Sequence, residues 1–84
     1  MRNTCHDILK TYFYQDLIHQ REALCLTQSQ MAERLLMDDR SYIDLDHGRS
    51  CCSAVTLALY LAFLCEDAPH FIDGLRQAFE EAFQ

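Results

Sequence analysis

Two helix-start signals stand close together in LTQSQMAERLLMDDRSYIDLDHG, residues 26 to 48, and leave room between them for one short helix. The Thr27 hydroxyl is placed to accept the amide of Gln30, and the Gln30 side chain to return to the amide of Thr27, with Leu26 and Met31 as the apolar staple around that box. The helix started there is expected to end near Leu36. Asp38 then caps a third helix over residues 39 to 46, and Gly48 supplies the left-handed residue that ends it. A helix, a turn and a second helix are thus written into a single segment.

The remainder of the chain is helical in pattern too. Ile8, Leu9, Tyr12, Phe13, Leu17, Arg21 and Leu24 recur at helical spacing and predict a long first helix from about Thr4 to Leu24. Ser53 is placed to cap a fourth helix that runs to Leu64 and is apolar on nearly every face. Pro69 fits the first turn of a fifth, amphipathic helix over about 69–83, whose stripe contains Phe71, Ile72, Leu75, Ala78, Phe79, Ala82 and Phe83. With two glycines, one proline and no convincing strand, the 84 residues read as one all-α domain of five helices, residues 1–84.

Charge restricts what such a domain can bind. The formal net charge is −6, and the acidic excess lies in residues 27 to 50 and 65 to 84, while residues 1 to 26 are balanced. Counterion release from neutralised phosphates supplies much of the affinity of a basic nucleic-acid binder, and here that contribution must be small. The longest apolar run, Ala54 to Cys65 interrupted by Thr56, is too short to span a bilayer, and MRNTCHDILKTY lacks the apolar core of an export signal. The expected location is the cytoplasm, with the five cysteines mostly as free thiols.

Over about Asp16 to Leu64 the chain resembles the Cro/C1-type (XRE family) helix-turn-helix domains of phage repressors and their bacterial relatives. LTQSQMAERL is similar to the opening of that motif, SYIDLDHGRS to the end of its recognition helix, and TLALYLAFL to the helix that follows. The resemblance implies a transcriptional regulator that binds double-stranded DNA as a homodimer. It puts Asp39, Arg40, Ile43 and Asp44 toward the bases, turns Tyr42 and Leu45 into the core, and assigns Gln28 and Arg49 to the phosphate backbone. It also implies a buried salt bridge between Arg21 and Asp46, made loose or water-bridged by an aspartate one methylene shorter than the more usual glutamate. The family often has glycine where this chain has Cys25 and Leu36, so both turns are expected to be reshaped.

The residues themselves allow two uses of this scaffold. Arg40 can pair bidentately with guanine, and an aspartate can accept from the cytosine amino group. The same aspartates repel phosphate, and near the start of a helix they are favoured by its dipole without any ligand. The alternative is a protein-interaction module that docks a basic partner through acidic third and fifth helices. For a homodimer, the stripe of Phe71, Ile72, Leu75, Phe79 and Phe83 is the expected interface, or else it folds back onto Tyr12 and Phe13 of the first helix.

Cys5-His6 and His47 with Cys51-Cys52 lack the paired spacing of a closed zinc site, so no metal or other cofactor is expected. Adjacent Cys51 and Cys52 leave a redox role open, whereas Cys25 and Cys65 read as small buried hydrophobes. No phosphate loop or nucleophile-plus-base pattern is present, and no catalytic residue is assigned.

Overall fold

The structure is a computed structural model that describes residues 4–83. Its elements are α1 (Thr4–Ala23), α2 (Gln28–Arg34), α3 (Asp39–Asp46), α4 (Ala54–Leu59), which continues into a π-helical turn (Tyr60–Leu64), and α5 (Ala68–Ala82). Among the described residues there is no strand, and no helix is long and apolar enough to cross a membrane.

A helix N-terminus leaves its first amides without partners, and side chains that accept them decide where each helix begins. Thr27 and Gln30 form the reciprocal box at α2, and Asp38 accepts from the Ser41 amide at α3. Ser53 does the same for Thr56 at α4, and Asp67 for His70 at α5, where Pro69 occupies the first turn.

Three helices end in the same way. The amide of Leu26 donates to the Arg21 carbonyl and that of Cys25 to Glu22; Met37 donates to Ala32 and Leu36 to Glu33; Arg49 donates to Asp44 and Gly48 to Leu45. Each set is a Schellman motif, which needs a left-handed residue just past the helix. Those residues are Cys25 at φ 57°, Leu36 at φ 57° and Gly48 at φ 70°. The turns are therefore not reshaped: Cys25 and Leu36 adopt the conformation natural to glycine, at about 1 to 2 kcal/mol each. Cys25 consequently points outward, contrary to its reading as a buried hydrophobe, and Leu36 is 81% exposed. At 48 a side chain would be blocked as well as strained, since a Cβ there would stand 2.9 Å from the Tyr14 ring.

The core is drawn from α1, α2, α3, the π-helical turn and α5: Phe13 and Leu17, Met31 and Ala32 with Leu35 just beyond α2, Tyr42 and Leu45, Tyr60 and Leu64, and Phe71, with Leu57 and Leu59 of α4 packed against them. Its aromatic rings meet edge to face, Phe13 on Tyr60 at 5.2 Å, Tyr60 on Phe71 at 5.9 Å and Phe71 on Tyr12 at 5.0 Å. Such contacts add about 0.5 to 1.5 kcal/mol each to the burial of the rings. The Tyr60 hydroxyl donates to the Asp16 carboxylate, and the Gln20 side chain accepts from the Glu66 amide at 3.0 Å. Together these fasten the α4–α5 connection to α1.

The C-terminal stripe is divided by this packing. Phe71 is 1% exposed and belongs to the core, which removes it from any association surface, and Leu75 packs against the same cluster. Phe79 is half-buried, so Ile72, Ala82 and, just past α5, Phe83 are what the stripe leaves exposed. The fold-back depends on Gly74: the Tyr12 hydroxyl reaches past it to donate to the Phe71 carbonyl at 2.9 Å. A Cβ at 74 would overlap that hydroxyl and stand 3.0 Å from Tyr12 Cζ.

Two exchanges at these sites should act with opposite signs. Leu36→Gly relieves a strained, exposed residue and should stabilise the domain by up to about 1 kcal/mol, net of the entropy glycine loses on folding. Gly74→Ala, which would stabilise an ordinary helix, should instead cost about 1 to 3 kcal/mol through overpacking. Chemical denaturation of both variants checks the pair, and a stabilising Gly74→Ala would mean that Tyr12 does not lie against α5.

Candidate functional site

The inner face of α3 determines how its outer face is presented. Tyr42, Leu45 and Asp46 are buried at 0%, 4% and 4% exposure, so the helix is inserted along one side with a carboxylate at its far end. A buried carboxylate is costly unless its lone pairs are met by donors. Here Asp46 Oδ1 accepts from Arg21 Nε at 3.2 Å and from the Tyr42 hydroxyl at 3.0 Å, and Oδ2 accepts from Gln28 Nε2 at 2.9 Å. The Arg21–Asp46 contact is direct, with the guanidinium of α1 and the amide of α2 both on one α3 side chain. Burial, then the bond to Asp46, pushes the Tyr42 phenol well above its ordinary pKa, so it remains a donor.

This network draws in Gln28. The resemblance implied that its side chain faces the phosphate backbone; in the folded chain its partly exposed carboxamide also donates to Asp46, which gives it a part in the scaffold. The donor that tightens the buried carboxylate is the residue that had been expected outside.

The outer face gathers the other expected residues. Asp39, Arg40, Ile43, Asp44 and Arg49 line one open concavity of about 440 Å³. Asp39 and Arg40 are exposed, while Ile43 and Asp44 are partly covered. Arg49 Nε lies 3.0 Å from Asp44 Oδ1, both side chains being about half exposed, and the Schellman turn at Gly48 brings Arg49 back over α3. Asp39 accepts from the Ser29 hydroxyl at 2.8 Å, which links the starts of α2 and α3. Among the described residues the Arg40 guanidinium has no ion-pair partner, so it is the free cation of this surface. No family model, curated protein or solved structure matches the chain.

At the head of α3, Asp38 is occupied by its own cap. The Ser41 hydroxyl, 2.7 Å from Oδ1, and then the Ser41 amide hold its carboxyl below the usual carboxylate range. The cap therefore supports α3 above the ordinary aspartate pKa and is lost as pH falls through the lowered one.

The cysteines and histidines do not assemble. Among the described residues no three His, Cys, Asp or Glu side chains are arranged to hold a metal ion. Cys51 and Cys52 are half-buried neighbours, and burial, then Cys51, pushes the Cys52 thiol up to about 12. Thiolate is the reactive form, and burial at Cys52 disfavours it. Cys65 packs against the core and is likewise pushed upward by burial.

Besides the bond from Gln28 to Asp46, three contacts around α3 were missed from sequence. Tyr42 and Asp46 are one helical turn apart, a spacing that does signal a contact. Ser29 to Asp39 and Asp44 to Arg49 cross turns, and no periodicity points to them.

The Asp46 network makes a graded prediction. Asp46→Ala leaves a guanidinium, a phenol and an amide without their acceptor and should cost about 3 to 5 kcal/mol. Arg21→Ala should cost less, because Tyr42 and Gln28 still donate to the carboxylate. The double variant should fall short of the sum of the two. Equal and additive losses in urea titrations would show that the network does not couple the helices.

Proposed function

We propose that this chain is a sequence-specific DNA-binding transcriptional regulator of the Cro/C1 helix-turn-helix type, acting in the cytoplasm as a homodimer, with α3 as its reading helix. The observation that carries the reading is that α3 is anchored along its inner face by Tyr42, Leu45 and Asp46, while Asp39, Arg40, Ile43, Asp44 and Arg49 stand together on its outer face. A helix held rigidly against a core and open along one side is the geometry a major groove accepts.

On this reading the roles differ among the residues. Arg40, unpaired, is the candidate for a guanine edge. Arg49 reaches phosphate only by leaving Asp44, so the carboxylate competes with DNA for it. Asp39 and Asp44 lower affinity for any duplex and select for sequences that offer them a cytosine amino group. The consequence is weak non-specific binding, because few phosphates are neutralised and little counterion is released.

The paired Arg49 and the −6 net charge also suit the second reading, a module that docks a basic protein. Binding measurements separate the two. Arg40→Ala should cost about 1 to 3 kcal/mol at a preferred site and relax one base position, whereas Arg49→Ala should weaken all sequences alike and lower the salt slope by about 1. Asp44→Asn should raise non-specific affinity by releasing Arg49. If neither arginine variant alters binding to a selected duplex, this face is not the DNA contact.

A further inference from the structure

The unexplained surface lies on α4 and its π-helical turn. Val55 is 69% and Phe63 79% exposed, and Ala58 and Ala62 between them are exposed as well. Val55, Ala58 and Ala62 recur at helical spacing, and Phe63, five residues after Ala58 where the helix widens into the π-helical turn, extends them into one apolar patch. No charged residue occurs between Arg49 and Glu66, so the patch lies in the longest uncharged stretch of a chain whose net charge is −6. We infer that this face of α4 is where a second copy of the chain docks.

Charge identifies the occupant. Two copies at −6 repel one another over most of their surfaces, and the cost is least where neither brings a charge to the contact. A basic partner would gain nothing here and would be drawn to the acids of α3 and α5. A nucleic acid would find no cation. The exposed apolar residues of α5 are poorer candidates for a like-charged partner, since Ile72 adjoins Asp73 and Phe83 follows Glu80 and Glu81. On α4 the small Ala58 and Ala62 let two helices approach closely. In a two-fold, antiparallel arrangement Phe63 of each copy would lie over the alanines of the other, which makes the patch self-complementary. One helix face gives a small interface, so association should be reversible and visible in its concentration dependence.

The inference rests on the homodimer in the proposed function but not on DNA recognition, and its test contains no DNA. Sedimentation equilibrium of the full chain over a wide concentration range should show a monomer–dimer equilibrium. Phe63→Glu and, independently, Val55→Glu should weaken it by at least about tenfold. Ile72→Glu should leave it within a factor of about two. The altered side chains are exposed, and unchanged thermal melts of the dilute variants confirm that folding is intact. A chain that is monomeric throughout, or a dimer abolished by Ile72→Glu and not by Phe63→Glu, overturns the inference. A dimer with the expected mutational pattern that binds no DNA supports it while contradicting the proposed function.

Discussion

The carboxylate of Asp46 is the point on which the helical arrangement depends. It is buried, it carries charge, and its neighbours arrive from three places: Arg21 from α1, Gln28 from α2 and Tyr42 from one turn earlier in α3. Removing a carboxylate from water costs several kcal/mol, which is offset only while all of those donors are in position. Most slips or rotations of α3 would cost hydrogen bonds in this set and withdraw Leu45 from the core. The α3 register is therefore specified by chemistry as well as by shape, and with it the direction in which Arg40 and Ile43 point.

Turn geometry carries the same constraint through the backbone. A Schellman turn fixes the direction in which the chain leaves a helix, and α1, α2 and α3 all end in one. Only Gly48 has the side-chain-free residue such a turn favours. At Cys25 and Leu36 the fold holds the motif against local preference, as expected if the Asp46 network and the packing of Phe13, Tyr42 and Leu45 weigh more than the turn residues in placing α1, α2 and α3.

What was legible in the sequence was what is local. Thr27 with Gln30, Asp38, Ser53 and Gly48 are decided within a few residues, and their positions could be read from residue type and spacing. Arg21 with Asp46 was legible only through a family resemblance, and its directness was underestimated because the two further donors were not foreseen. Gln28 illustrates the limit: its amide suits phosphate or carboxylate equally, and its reach to Asp46 exists only in the folded chain. Phe71 was ambiguous for a similar reason, since a stripe of phenylalanines looks the same whether it covers its own core or another molecule. Gly74 held the answer, but a lone glycine in a helix does not announce that Tyr12 lies against it.

The proposed role asks an acidic surface to recognise a polyanion, and this is the claim most exposed to direct test. It requires that specificity come from a few contacts by Arg40, Ile43 and the two aspartates, with little help from phosphate neutralisation. Selection of bound duplexes from a random pool, carried out with the full chain at low and at physiological salt, measures this without assuming a site. The account expects enrichment of a pseudo-palindrome whose half-sites lie about 34 Å apart, one helical turn of DNA, with guanine and cytosine prominent in each half. A pool that emerges from successive rounds unchanged at both salt concentrations would contradict it.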